Sequence, residues 1–330
     1  LTVIDLFCGV GGFSLGFKQA GFTVSLAVDN WKQVLDSHRA NHPGTKHLLQ
    51  DIREIKPKDL EKYKAKIIIG SPPCQQFSVA NNNPDVKKGL ELTNHFLDLI
   101  ESLNPDYWIM ENVPGVTKYV RGRIFKLGGM VHFLNAADYG TAQIRKRVFC
   151  GRFPFPIPTH AKRPQRTLTG YLKKWLTVAD VLEDVQLPED ENLEPTEKSL
   201  ERALAILRKD KVPYSTAIVE GHKPSHTIIA HIGLDFATGG LIDTCFFDRD
   251  GKNFYSNRRP APTLTTKTLN LHVLKERIRR LSSVEAKILM GFPRDYIILG
   301  SAMSTKFRQI GNAVCPPVSR TIAATIKEGI

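Results

Sequence analysis

The stretch that most limits what this chain can fold into is Gly70-Ser71-Pro72-Pro73-Cys74-Gln75-Gln76-Phe77-Ser78. It follows Ala65-Lys66-Ile67-Ile68-Ile69, a β-branched run with strand character. Two successive prolines offer no backbone N–H, so a central strand cannot continue through them. The strand stops and presents Cys74 at its carboxyl end, the edge at which open α/β sheets hold ligands. A lone cysteine is more often a buried structural side chain, so the rest of the chain must decide what Cys74 does.

The preceding segments repeat the same design. Leu1 to Phe7 reads as a buried strand, Cys8-Gly9-Val10-Gly11-Gly12 as a tight turn, and Phe13 to Gly21 as a helix. Strand, glycine turn and helix suit a dinucleotide, S-adenosylmethionine or a plain turn. The GxGG spacing departs from GxGxxG, which counts against a pyrophosphate cofactor. Phe22 to Val28 is a second strand ending in Asp29, a carboxylate placed to accept ribose hydroxyls or to cap the helix from Trp31. A third short strand from His47 ends near Asp51, placed for an adenine amino group or a solvated turn.

Val79 to Gly89 is polar and reads as a loop, and Leu92 to Leu103 as a helix. Asp106 to Met110 is the fifth strand, with Glu111 at its carboxyl end before Pro114-Gly115. Carboxylate and thiol would then face one crevice. His132 to Ala137 looks like a strand. If Ile144 to Phe149 is extended, Arg145 and Arg147 share a face and suit an anionic or carbonyl-rich ligand; charges blunting an edge strand are the competing explanation.

From Phe153 the pattern changes. Pro154, Pro156, Pro158 and Pro164 mark a linker, and no sustained βαβ alternation follows up to about residue 275. Strand-like pieces occur at Thr227-Ile228-Ile229 and Cys245-Phe246-Phe247. A short helix spans Ser283 to Met290, and Pro317 opens a final helix to about Lys327. The predicted fold is α/β, a doubly wound, mostly parallel sheet with a smaller irregular domain.

Cysteines 8, 74, 150, 245 and 315 are scattered without a CxxC pair, so no disulfide framework and no metal site is expected. No apolar run approaches a membrane span and the first residues do not read as a secretory leader, so a cytoplasmic protein is expected. The net charge of +13 favours a polyanionic partner, though only weakly, because many solvated proteins are basic.

Ser71-Pro72-Pro73-Cys74-Gln75 resembles the nucleophile motif of the DNA (cytosine-5) methyltransferases. Other segments resemble that family's motifs in its order: residues 5–17, Glu111-Asn112-Val113, Gln143-x-Arg145-x-Arg147, Arg279 to Pro293, and Gln309 to Val314. The resemblance implies an S-adenosylmethionine-dependent methyltransferase fold made of residues 1–152 and 305–330, with a target-recognition domain at 153–304. It implies catalysis by Cys74, Glu111, Arg145 and Arg147. Cofactor contacts would come from Phe7, Gly9, Gly11, Gly12, Asp29, Asp51, Ile52, Pro73, Leu92, Asn312 and Ala313. The implied substrate is a cytosine flipped out of a short specific sequence in double-stranded DNA. A cognate restriction endonuclease would be a genetic partner, and the protein a monomer, nucleoid-associated in a prokaryote.

Two departures from the family pattern stand out. Family members often carry an aromatic residue directly after the ribose acid; here Asn30 stands there and Trp31 follows one later. Only 27 positions separate Glu111 from Asp138, and Val120 to Gly129 leaves about two turns, so a helix is expected to be missing from one face. Rival readings are an RNA cytosine-5 methyltransferase, a DNA-binding relative with impaired catalysis, and, more distantly, a nicotinamide-dependent oxidoreductase.

Overall fold

The computed structural model describes residues 1–73, 75–77, 85–167, 170–182, 185–194 and 281–329, with the backbones of six short strands between 215 and 280. Cys74, Arg258 and Arg259 lie outside the described residues, as does most of the polar loop that follows Cys74.

The first half of the chain alternates strands and helices: β1 (Thr2–Leu6), α1 (Gly12–Gln19), β2 (Thr23–Asp29), α2 (Lys32–Asn41), β3 (Lys46–Leu49), α3 (Pro57–Glu61), β4 (Ile67–Gly70), α4 (Val86–Leu103), β5 (Tyr107–Asn112), α5 (Thr117–Lys126), β6 (Met130–Asn135) and β7 (Lys146–Arg152). They form one seven-stranded sheet in the order β3-β2-β1-β4-β5-β7-β6. The first five strands in that order pair in parallel, and β7 runs antiparallel to both β5 and β6. This is the doubly wound sheet expected from the sequence.

Side chains alternate across it with the strand period of two. Val3, Ile67, Ile69 and Ile109 belong to one apolar cluster with Phe13 and Phe17 of α1. Ile4, Ile68, Trp108 and Met110 belong to a second with Phe96 and Ile100 of α4. Both faces are therefore covered, which is why these strands read as continuous apolar runs.

Two local expectations need correction. Helix α4 begins at Val86, not near Leu92, because the Asp85 carboxylate accepts from Lys88 N–H at 3.0 Å and caps it. The helix expected to be missing after Glu111 is present. Ten residues, Thr117–Lys126, form α5, and Val120 and Ile124 bury against Trp108 on the second face.

Short strands β8 (His160–Ala161), β9 (Gln165–Thr167) and β10 (Gly170–Lys174) form a separate small sheet with β10 in the middle. After it come α6 (Val178–Leu182), then a hairpin of β11 (Ser215–Val219) and β12 (Thr227–His231). A four-stranded sheet holds β13 (Cys245–Phe247), β14 (Phe254–Ser256), β15 (His272–Leu274) and β16 (Ile278–Arg280).

The chain ends with α7 (Ser283–Leu289), α8 (Met303–Asn312) and α9 (Pro316–Glu328). Ser282 and Glu285 form a reciprocal capping box at the start of α7. Helix α9 packs closely on α1: Ser319 Oγ donates to the Phe13 carbonyl at 2.6 Å, beside Gly16. Leu281, Leu289, Met290, Phe292 and Tyr296, which precede residue 305, share one apolar cluster with Val3 and Phe13.

Candidate active site

The carboxyl ends of β1, β2 and β4 surround a cavity of about 290 Å³. It is lined by Phe7, Val28, Asp29, Asn30, Gln50, Asp51, Ile52, Pro73 and Leu92. Six residues singled out in the sequence thus meet in one place. Phe7 sits in the left-handed region at φ 59°, a conformation that costs a non-glycine residue about 1 kcal/mol. Strain of this kind is retained where the surroundings over-determine a site.

Asp29 is held from two sides. Its Oδ2 accepts from Gly9 N–H at 3.0 Å and its Oδ1 from Trp31 N–H at 2.9 Å. A carboxylate offers about four acceptor sites, more than these backbone donors occupy, so it is oriented and can still receive a hydroxyl. Burial raises its pKa, and the backbone donors oppose that shift. Asp51 differs. Arg53 binds both its oxygens, at 2.9 and 2.7 Å, and holds its pKa down at about 2.

The four-residue glycine turn divides its work. A Cβ on Gly9 would meet open space, and the residue needs its φ of 55°. A Cβ on Gly11 would strike the Tyr296 hydroxyl and His42, and one on Gly12 would lie 2.0 Å from the Val314 carbonyl oxygen. Gly11 and Gly12 therefore admit neighbouring protein. Asn312 and Ala313 lie at the end of α8 beside that contact and do not line the cavity. Nor does Trp31, whose ring carries the Arg308 guanidinium 4.6 Å from its centroid.

A second cavity, of about 220 Å³, lies at the carboxyl end of β5. Its lining includes Glu111, Arg145, Arg147, Phe149, Val314 and Cys315. Glu111 pairs with Phe149 across β5 and β7, so Arg147, two positions earlier, is its diagonal neighbour on the same face. Arg147 Nε lies 3.2 Å from Glu111 Oε1. Burial raises the pKa of Glu111, and Arg147 and then Arg145 oppose the shift. Arg145 itself is buried, and its Nη2 donates to the carbonyls of Gly311 and Ala313 at 2.9 and 3.1 Å. It ties the strand to the returning C-terminal segment.

Asn112 joins the two cavities. Its Nδ2 donates to the Pro72 carbonyl at 3.1 Å and its Oδ1 accepts from Val113 N–H at 2.8 Å. The end of β5 is thereby fastened to the Pro-Pro lead-in of Cys74. The sequence reading gave Asn112 no role; its place between Glu111 and a turn was the available signal. Burial raises the thiol pKa of Cys8, Cys150 and Cys315, which are inert structural cysteines by that criterion. No group of metal-ligating side chains occurs among the described residues.

These features, a doubly wound sheet with one cavity at its first strands and an acid–arginine cavity whose strand is bonded to Pro72, fit the S-adenosylmethionine-dependent methyltransferase fold. The C-5 cytosine-specific DNA methylase family matches residues 1–328, and the chain belongs to that family. It is thus a DNA (cytosine-5) methyltransferase. The type II methyltransferase M1.HphI of Haemophilus parahaemolyticus is 29% identical over 99% of this chain and 86% of its own length. M.MthTI of Methanothermobacter thermautotrophicus is 27% identical, with 100% and 98% covered. Among solved structures, a DNA modification methyltransferase encoded within an E. coli prophage superposes with a TM-score of 0.68 at 23% identity, covering 99% of both chains. A Spodoptera frugiperda DNMT2 variant gives 0.62 at 17%, with 97% of both covered. Both likenesses concern the fold.

Proposed function

We propose that this protein transfers a methyl group from S-adenosylmethionine to carbon 5 of a cytosine flipped out of duplex DNA, through a covalent bond to Cys74. The observation that carries the proposal is the Glu111–Arg147 pair in a buried cavity, fastened by Asn112 to the turn that leads into Cys74.

The first cavity fits S-adenosylmethionine by its donor set. Two carboxylates line it, with apolar Val28, Ile52, Pro73 and Leu92, and among the described residues no lysine or arginine lines it. A ribose diol and an uncharged adenine suit that lining; the pyrophosphate of a nicotinamide dinucleotide would be repelled. Asp29 would accept the ribose hydroxyls, Asp51 and Ile52 would face the adenine, and Gly9 would border the methionine part. When bound, the cofactor supplies an electrophilic methyl group.

The chain's own residues would make carbon 5 a nucleophile. The Cys74 thiolate adds to carbon 6, and the ring electrons move toward carbon 5 and N3. Glu111, with its raised pKa, donates a proton or hydrogen bond at N3, so charge need not build up on the base. Arg147 holds the O2 oxygen, and Arg145 keeps the C-terminal segment in place. After methylation, loss of the carbon 5 proton and expulsion of the thiol restore the ring. Carbon 6 is inaccessible inside a duplex, so the base must leave the stack.

We place the catalytic domain at residues 1–152 and 281–330, with target reading in the region between. The relatives are named type II methyltransferases, which supports a short specific DNA target and a cognate restriction endonuclease. Among the described residues no helix is long and apolar enough to cross a membrane. Bisulfite sequencing of DNA and RNA incubated with the protein and S-adenosylmethionine tests the proposal. It expects converted-resistant cytosines at one DNA sequence; modification confined to RNA would overturn the DNA assignment.

A further inference from the structure

The segment just before the two catalytic arginines is also where the small sheet is attached. Asp138 lies in a 3-10 turn, Ala136–Tyr139, between β6 and β7. Its carboxylate Oδ1 accepts from Trp175 Nε1 at 2.8 Å, and its backbone carbonyl accepts from Thr159 N–H at 3.0 Å. The next residue, Tyr139, is buried and donates its hydroxyl to the Pro156 carbonyl at 3.0 Å. Trp175 in turn donates its backbone N–H to Ala161 at 2.9 Å, directly after β10.

These bonds reach two of the three strands of the small sheet, β8 and β10. Thr159 opens β8, and Trp175 follows β10, which pairs with β8 on one side and β9 on the other. The sheet exposes Arg166, Lys173 and Lys174. At its other end, the same short stretch leads to Arg145 and Arg147, which are seated in the second cavity. A basic, exposed sheet is thus tied to the turn before Arg145 by the Asp138–Trp175 side-chain bond, with the Asp138–Thr159 backbone bond and the Tyr139–Pro156 bond beside it. Loops and linkers are the usual attachment of such sheets; here side-chain hydrogen bonds supplement the chain connection.

We propose that Asp138 and Trp175 form a positioning joint, which sets the register of DNA held by the small sheet against Cys74 and Glu111. The inference rests on the proposed DNA-reading role of that region. Neither residue touches the reacting base. Their effect falls on productive DNA binding and leaves cofactor binding and the chemical step alone.

Steady-state kinetics on the full chain, with duplex DNA varied at saturating S-adenosylmethionine, test this. Asp138→Ala and Trp175→Phe are expected to raise KM for DNA roughly tenfold, with kcat and KM for S-adenosylmethionine within about twofold of wild type. Asp138→Asn, whose amide oxygen still accepts the indole N–H, should stay near wild type, which separates the hydrogen bond from the charge. Trp175→Phe keeps the ring in place and decides the matter should Asp138→Ala fail to fold. An unchanged KM for DNA in Trp175→Phe, or an Asp138→Asn variant as impaired as Asp138→Ala, would overturn the joint. A parallel variant, Arg166→Ala with Lys173→Ala and Lys174→Ala, checks the underlying reading. If that variant binds DNA like wild type, the small sheet does not hold DNA and the joint falls with it. If it weakens binding while Trp175→Phe does not, only the joint is wrong.

Discussion

At the carboxyl group of Glu111 burial and charge oppose each other. Desolvation favours its protonated form, and Arg147 and Arg145 favour the anion. Its expected role is to deliver a proton or hydrogen bond to N3, and alanine supplies neither, so Glu111→Ala should lower kcat by about 10²–10⁴-fold while leaving the S-adenosylmethionine Kd unchanged; equilibrium dialysis and single-turnover kinetics check both. Asp5 offers a second test at this scale. It is fully buried, accepts from Ser14 Oγ at 2.6 Å, and burial pushes its pKa up to about 7. Because the folded pKa exceeds the unfolded one, folding retains a proton that the unfolded chain releases. The contribution is fully present below about pH 4 and is lost as pH rises toward 7. Asp5→Asn removes this loss, so its stability relative to wild type should rise across that window by up to about 4 kcal/mol. The buried His38 and His42, whose pKa values burial lowers, slope the other way; His42 is present unchanged in both proteins, while His38 meets Asp5 through the Ser14 hydroxyl, so the comparison of the two urea-unfolding curves is read between about pH 5 and 7.

At the scale of elements, the glycine turn separates fold from function. Gly12→Ala would drive a Cβ into the Val314 carbonyl and should cost about 3 kcal/mol. Gly9→Ala meets no neighbour and should cost only about 1–2 kcal/mol, from its positive φ. Equilibrium unfolding of the two variants checks the order. The strands were legible because burial on both faces leaves unbroken β-branched runs, as at Ile67–Ile69. Helix α5 was not legible, because only Val120 and Ile124 mark its buried face and a Pro-Gly break stands just before it. The partners of Gly11 and Gly12 come from Tyr296 and Val314, far away in sequence, so no local pattern could reveal them. The stacking of Arg308 on Trp31 is a long-range contact of the same kind.

Over the whole molecule, the carboxyl edge of one sheet gathers both cavities, and target reading is proposed for the region between residues 153 and 280. The residues lining both cavities were legible largely because strand ends followed by Gly, Pro or an acid mark that edge. The setting of α7 was less so: the capping box at Ser282 is local, but its burial in the core of Val3 and Phe13 is a tertiary fact. Exchanging residues 153–280 for those of a relative should change which cytosine is methylated while keeping the reaction. An active chimera that kept the original target would place sequence reading elsewhere.

The covalent role of Cys74 is the centre of this account, and a trapped adduct tests it most directly. Duplex DNA carrying 5-fluorocytosine at the target, incubated with S-adenosylmethionine, offers no carbon 5 proton to lose, so the thiol cannot be expelled. Mass spectrometry should find a DNA adduct on the peptide containing Cys74 in the wild-type protein and none in Cys74→Ser, which should also fail to methylate ordinary DNA. Methyl transfer by Cys74→Ser at near wild-type rate, or an adduct on a different residue, would contradict it.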